Sequence, residues 1–504
     1  METDLFMLLD TNSRNILSIL SIISEKNEWY TIHEISEKLN VVERTIQRYI
    51  IHLKDCIDQF NEGEEENDRL FLSYEKYKGV HLETPKGHGL HRFKQLVLEQ
   101  DETFIMLRDI FFEEFQSVTK YAMEHYISES KVRKSVKKIR YYLKRYHLSL
   151  SNISFKIIGE EKQIRLLTYY VVWYGLKGHD WPFRQVSQNK VYEVIDSLDE
   201  SLSMKLTRTQ RKQLGYMLAI NLFRMGKNHP IELEAHWQNY VDINRVMDEM
   251  PFLSLVFIKR RQELTAEIYF YMLLIQLRIN VYQSKPFIKQ TLEYHKLNGS
   301  DVYETTNHFV EKFHTELHPI PSEFYHSFFL TTFCTHLFCR MFRYVILTDD
   351  GCNNIREWQN KYTVLTSQLH QIIDKLYIQT NNVLFLQRPF LMQKYMMLFS
   401  MIKPLTHFEP TIKVLIESDL PYLKKTLLEN DIIKRYSGDY HIEFINTSDV
   451  TIDIILTNVP NVLKNKEYSN SVIHFFEYPM MLRDIEKLDK VIQKIYTKNY
   501  LVET

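Results

Sequence analysis

Between Asn15 and Ile158 the chain sets out one order of elements twice. Each time there is an amphipathic helix, a shorter helix, a two-residue turn, a longer helix and two short alternating runs. That order defines a trihelical helix-turn-helix with a hairpin wing. In the first copy, Asn15–Glu25 places Ile16, Leu17, Ile19, Leu20 and Ile23 at helical spacing. Thr31 is the expected N-cap of a short helix ending at Leu39, with Glu34 at capping-box distance. Asn40-Val41 is the turn and Val42–Ile57 the third helix. An acidic loop (Asp58, Glu62, Glu64, Glu65, Glu66, Asp68) leads to strand-like runs at Leu70–Tyr74 and Gly79–Thr84. In the second copy the helices are Phe104–Phe115, Ser117–His125 and Ser128–Tyr146, with the turn at Tyr126-Ile127. Wing strands follow at Leu148–Leu150 and Ile153–Ile158. Any three-helix bundle yields one such pattern; its recurrence in tandem narrows the choice.

The rest of the chain changes character twice. Residues 165–403 read as mostly helical, with long runs at Gln210–Met225, Arg260–Tyr282, Ser322–Leu347 and Trp358–Leu376. The Pro286–Ser300 neighbourhood splits this stretch into two bundles. From Thr411 onward, short apolar runs (Thr411–Ile416, Tyr440–Ile445, Ile452–Thr457, Val472–Phe476) alternate with helices at Leu420–Asn430 and Met480–Lys498. Strands separated by helices predict a small parallel α/β sheet. The expected fold class is therefore mainly α and multidomain. Its parts are residues 1–95 and 96–170 (winged helix-turn-helix modules), 171–287 and 288–405 (helical bundles), and 408–504 (α/β). Only 12 of 504 residues are Gly, which argues against a glycine-turn-rich β architecture.

Charge excludes some functions and focuses others. With 63 Lys+Arg against 64 Asp+Glu the net charge is -1, so the molecule is not a polycation coating nucleic acid. The cancellation hides one helix. Ser128–Tyr146 holds eight cations (Lys131, Arg133, Lys134, Lys137, Lys138, Arg140, Lys144, Arg145) against the single anion Glu129. Val132, Val136, Ile139 and Leu143 recur along it as one buried face. A helix of this kind fits the major groove of double-stranded DNA. Ser130, Lys131, Arg133 and Lys134 are expected at base edges or groove walls, and Lys137, Lys138 and Lys144 at phosphates. In the first copy, Arg44, Thr45, Gln47 and Arg48 occupy the equivalent helix. There six cations are balanced by six anions between Ser13 and Cys56, so a weaker contribution is expected.

Enzymatic and membrane functions find little support. There is no GxxxxGK[ST], GxGxxG or GxSxG, no CxxC pair among the four cysteines, and no apolar run long enough to span a membrane. His314 and His318 stand four apart, but the Glu between them is out of place for a metalloprotease motif, so no metal and no cofactor is expected. The acidic N-terminus does not resemble a signal peptide, and a cytoplasmic location is expected.

Together, the tandem modules, the phrase ISFKIIGEEKQIRLL (Ile153–Leu167), the two helical repeats and the α/β end resemble the Mga/AtxA family. These are transcriptional (virulence) regulators of Gram-positive bacteria that contain phosphotransferase-system regulation domains. The resemblance implies a DNA-binding activator that is homodimeric and phosphorylated on histidine by phosphotransferase-system phosphocarrier proteins. Such domains often carry His-Leu with Arg seven residues after the His. The second repeat matches with His336, Leu337 and Arg343. The first has Met217 before Arg224, and Leu274 where a further histidine is expected after Glu267-Ile268; His229 and His236 are its alternative acceptors. The α/β end resembles enzyme IIB, but Ile416-Glu417-Ser418-Asp419-Leu420 lacks the acceptor Cys and the glycines, so a scaffold role is expected. The competing reading is a regulatory interaction protein that senses carbohydrate status and no longer binds DNA.

Overall fold

The computed structural model describes residues 4–84, 87–256, 261–343, 355–446, 451–460 and 471–503. Helices dominate, with two small antiparallel hairpins and a four-stranded parallel sheet near the C-terminus. The chain divides into two units: Met1–Glu304 with His336–Asn353, and Thr305–Thr335 with Asn354–Thr504.

The first unit opens with helices α1 (Thr11–Ile23), α2 (Ile32–Leu39) and α3 (Glu43–Asn61). The capping box forms as expected: the Thr31 hydroxyl accepts from the Glu34 N–H at 3.2 Å, and the Glu34 carboxylate accepts from the Thr31 N–H at 2.7 Å. Asn40 ends α2 in the left-handed region, which Asn tolerates better than most residues. Strands β1 (Phe71–Glu75) and β2 (Gly79–Glu83) pair with Leu72 opposite Leu82. Tyr30 bridges Val80 and ties this hairpin to the start of α2. Gly79 makes that approach possible, because a Cβ there would lie 2.1 Å from the Tyr30 carbonyl oxygen.

Helix α4 (Gly89–Gln100) lacks a sequence-based expectation and runs across position 95. Its buried side chains, Phe93 and Val97, are too few to write a strong period. Next come α5 (Glu102–Phe111), capped by Asp101, then α6 (Val118–Glu124) and α7 (Glu129–Arg145). The second hairpin is shorter than expected: β3 is Ser149–Leu150 and β4 only Ile157–Ile158. The Ser151 hydroxyl accepts from the N–H groups of Ile153 and Ser154 and folds that stretch into a turn instead.

Helices α8 (Glu161–Leu176), α9 (Gln188–Leu202), α10 (Arg208–Gly226), α11 (Ile243–Glu249), α12 (Phe252–Val256), α13 (Arg261–Gln276), α14 (Lys285–Leu297) and α15 (Asp301–Lys312) follow. The run expected as one helix to Tyr282 stops at Gln276 and gives way to a 3₁₀ turn at Ile279–Val281. Pro286 lies in the first turn of α14, where its missing N–H costs nothing. Helix α16 (Ser322–Met341) ends before Leu347; residues 344–347 and Arg260 lie outside the described residues.

In the second unit, helices α17 (Ile355–Lys361), α18 (Thr363–Thr380) and α19 (Arg388–Ser400) precede the sheet. Strands β5 (Thr411–Glu417), β6 (His441–Phe444), β7 (Ile454–Thr457) and β8 (Val472–Phe475) lie in the order β6-β5-β7-β8, all parallel. Helices α20 (Tyr422–Tyr436) and α21 (Leu482–Glu503) share one core with this sheet. That core joins Ile412, Val414, Ile416, Ile454 and Leu456 to Leu428, Ile432, Leu488 and Ile492.

Candidate nucleic-acid interface

Helix α7 buries Val132, Ser135, Val136, Ile139, Tyr142 and Leu143, the expected apolar stripe widened by Ser135 and Tyr142. Its start is fixed locally: the Ser128 hydroxyl accepts from the Lys131 N–H at 3.3 Å. Tyr126 in the preceding turn has φ of 55° and is 96% exposed. Ser130, Lys131, Arg133, Lys134, Lys137 and Lys144 all lie exposed along this helix. Lys131 pairs with Glu102 at 2.6 Å and Arg133 with Glu129 at 3.0 Å. Both pairs are solvent-accessible and contribute little, so a phosphate can displace the carboxylates. Lys134, Lys137 and Lys144 have no carboxylate partner among the described residues.

Lys138 departs from the expectation of a phosphate contact. Its ammonium donates to Asp10 at 2.9 Å and to the carbonyls of Leu9 and Leu8 at 3.2 and 3.4 Å. Asp10 also reaches Thr103, whose hydroxyl meets Ser135 at 3.0 Å, and the Asp10 N–H donates to Asp101 at 2.9 Å. Lys138 therefore clamps the N-terminal segment onto α7, which its position on the helix did not reveal. In α3, Arg44 and Arg48 are exposed, and Thr45 and Gln47 are half-buried.

The phrase Gly159–Leu167 has a clear structural role. Arg165 of α8 is buried; it donates to Glu267 of α13 at 2.6 and 2.8 Å and to Glu161 at 3.0 Å. Arg224 of α10 donates to both Glu161 oxygens, at 2.9 and 2.7 Å, and to Glu113 at 3.1 Å. Glu113, just after α5, also faces His229 at 2.6 Å and Lys156 of the second hairpin at 3.0 Å. Burial raises the Glu113 carboxyl, but Lys156, His229 and Arg224 outweigh it and hold it below the usual carboxylate range. One carboxylate thus links the helix-turn-helix module to the helical bundle behind it. His229, offered as a phosphoryl acceptor, has a ring nitrogen against that carboxylate, where a second anion would be repelled.

The other histidines differ in access. His336 is fully buried, and burial pushes its pKa down to about 3. Arg340 is committed to Asp301 at 2.9 Å, and Arg343 is exposed. His236 is half-buried beside Glu234, and burial with the nearby Arg340 charge lowers its pKa to about 4. Met217 and Leu274 come together on one small cavity with Arg165, Asn221 and Phe270.

The described fold defines a helix-turn-helix protein whose DNA-type helix precedes a large helical body. Residues 88–171 match the Mga helix-turn-helix domain, so the chain carries that domain and the resemblance read from its sequence is borne out. The chain is similar to the capsule synthesis positive regulator AcpB of Bacillus anthracis, 21% identical over 61% of this chain and 63% of AcpB. It is 23% identical to AcpA of the same organism over 44% of each chain. A Streptococcus pneumoniae serotype 4 protein, assigned as a trans-acting regulator, is 21% identical over 92% of this chain and 96% of its own length. The chain thus spans less than two thirds of the length of the two Bacillus relatives. All three relatives carry the name of regulators. No helix among the described residues is long and apolar enough to cross a membrane.

Proposed function

We propose that the protein is a sequence-specific, double-stranded-DNA-binding positive regulator of transcription, acting in the cytoplasm as a homodimer. The observation that carries this reading is the exposed cationic face of α7 within the Mga domain. Ser130, Lys131, Arg133 and Lys134 serve the groove, and Lys137 and Lys144 the phosphates. Arg44, Thr45, Gln47 and Arg48 of α3 add a second, weaker contact.

The rest of the chain is the regulatory part. Its division into two bundles resembling phosphotransferase-system regulation domains and an enzyme IIB-like end is retained, with the first boundary moved to residue 88, because α4 is continuous across position 95. The meeting of Met217 and Leu274 on one cavity supports that assignment for the first bundle. In the second bundle His336 is the acceptor proposed for phosphotransferase-system phosphocarriers. Its burial means that phosphoryl transfer requires the helices around it to part, and the added charge then opposes their closing. His236 is the more accessible alternative.

A gel-shift series with the full chain and DNA upstream of its own gene tests the reading. Each neutralised phosphate releases counterion, so affinity should fall steeply with salt. Charge reversal at Lys134 and Lys137 should weaken binding about tenfold or more and flatten the salt slope by about 1 per lost contact. Binding unchanged by both reversals would exclude α7 as the DNA helix.

A further inference from the structure

Three histidines meet in the second unit. The His407 ring centroid lies 5.4 Å from that of His318 and 5.4 Å from that of His441. They come from three places in the chain: the segment after α15, the short 3₁₀ turn Leu405–Phe408, and strand β6. His407 and His441 line a pocket of about 170 Å³ together with Lys403, Thr406, Ser437 and Tyr440. Ile433, Ile442 and Pro404 complete its wall. No carboxylate is among the lining residues. Asp439, next to Tyr440 in sequence, pairs with Lys361 at 2.5 Å, and Glu443, two residues after His441, is exposed.

We propose that this pocket binds a small phosphate-type oxyanion, either inorganic phosphate or the phosphoryl group of a phosphorylated metabolite. Its lining supplies one permanent cation, two imidazoles and the hydroxyls of Ser437 and Tyr440, a donor set for an anion, while the Thr406 hydroxyl donates to the Ser437 carbonyl at 2.9 Å. The His441 Nδ1 is engaged with the Thr411 hydroxyl at 3.1 Å, leaving Nε2 as the ring's other hydrogen-bonding nitrogen. Lys403 is the pocket's permanent cation, and burial, His441, His318 and Lys403 all oppose protonation of His407. An anion between them relieves that repulsion. The α20 carbonyl end at Ser437 opposes an anion, so Lys403 and protonated imidazole must outweigh it. A metal is the poorer occupant: no cluster of His, Cys, Asp and Glu among the described residues has donors arranged to hold one.

Anion binding in this pocket does not depend on DNA binding. Burial and its cationic neighbours lower the His407 pKa, so the empty pocket holds neutral imidazole near neutrality. Anion binding must then be accompanied by proton uptake, and affinity should rise as pH falls. The test is calorimetric titration of the full chain with inorganic phosphate at about pH 6 and about pH 8, in buffers of different ionisation heat. Binding should be tighter at the lower pH and should take up protons. Lys403→Gln and His407→Gln should each weaken it about tenfold, the scale of one charge-assisted hydrogen bond, with the melting profile retained. A hexose phosphate binding more tightly than phosphate would identify a metabolite site; equal affinity would identify free phosphate. No binding at either pH, or binding unaltered in both variants, would overturn the proposal. Binding of zinc with displacement of phosphate would overturn it equally.

Discussion

Residues of the same type on one helix do different jobs here. Lys134 and Lys137 stand exposed on α7, while Lys138, between the two faces, is held by Asp10 and two carbonyls. Removing Lys138 leaves those acceptors without a charged donor. Lys138→Ala should therefore cost about 1–2 kcal/mol of stability, read as a lowered midpoint in urea. Lys137→Ala should leave that midpoint within about 0.5 kcal/mol, as for ordinary surface changes. Equal midpoints for the two variants would show that the clamp contributes nothing. Tyr126 offers the converse case. A tyrosine with φ of 55° and 96% exposure packs little and strains its backbone. Tyr126→Gly should raise stability by about 0.5–1 kcal/mol, and an unchanged or lowered thermal midpoint would show that the exposed ring stabilises the turn in some other way.

At the scale of elements, legibility followed local physics. The capping box at Thr31, the turn at Asn40 and the buried stripe of α7 were readable because each depends on residues within one or two helical turns. Helix α4 was not, because two buried side chains give no period. Nor was the second hairpin's length, which Ser151 sets by folding its own neighbours. The ion network was invisible in detail for a different reason: Glu113, Arg165, Arg224 and Glu267 come from four separate segments and meet only in the fold. The phrase containing Glu161 and Arg165 was conspicuous in the sequence, but its partners were not. Buried pairs of this kind are costly to break one side at a time. Arg224→Gln should leave Glu113 short of a partner and loosen its hold on Lys156. Hydrogen exchange should then quicken in the hairpin from Ser149 to Ile158, far from the substitution in sequence. Arg211→Gln, on the same helix as Arg224, removes an exposed pair with Asp196 of α9 and should leave that hairpin unchanged. Equal exchange in both variants would mean that Glu113 does not couple the helix-turn-helix module to the bundle.

At the scale of the whole molecule, the near-zero net charge conceals two pH responses of the same sign in different windows. Buried imidazoles are the larger one. His336 and His295 are both held near a pKa of about 3 by burial. His295 is fixed in place by Ser300 at 2.8 Å and Gln276 at 3.1 Å. In the unfolded chain these rings titrate near about 6.5. Below that pH the unfolded state binds protons that the folded state refuses, so stability is complete above about pH 6.5 and is lost progressively toward about pH 3. Glu113 acts in a lower window. Its depressed carboxyl contributes stability above the unfolded value of about 4.3, and that contribution is lost only as pH falls through its folded value. Between about pH 7 and pH 5 the histidines therefore dominate. Thermal unfolding followed in phosphate-free buffer, which keeps any anion out of the His407 pocket, should show a melting temperature that falls steadily across that range. His295→Gln should flatten the fall, since an amide keeps the hydrogen bonds without the proton. A melting temperature constant from about pH 7 to pH 5 would mean that the unfolded chain gains no protons relative to the folded one, and that the two rings are not held neutral by the fold.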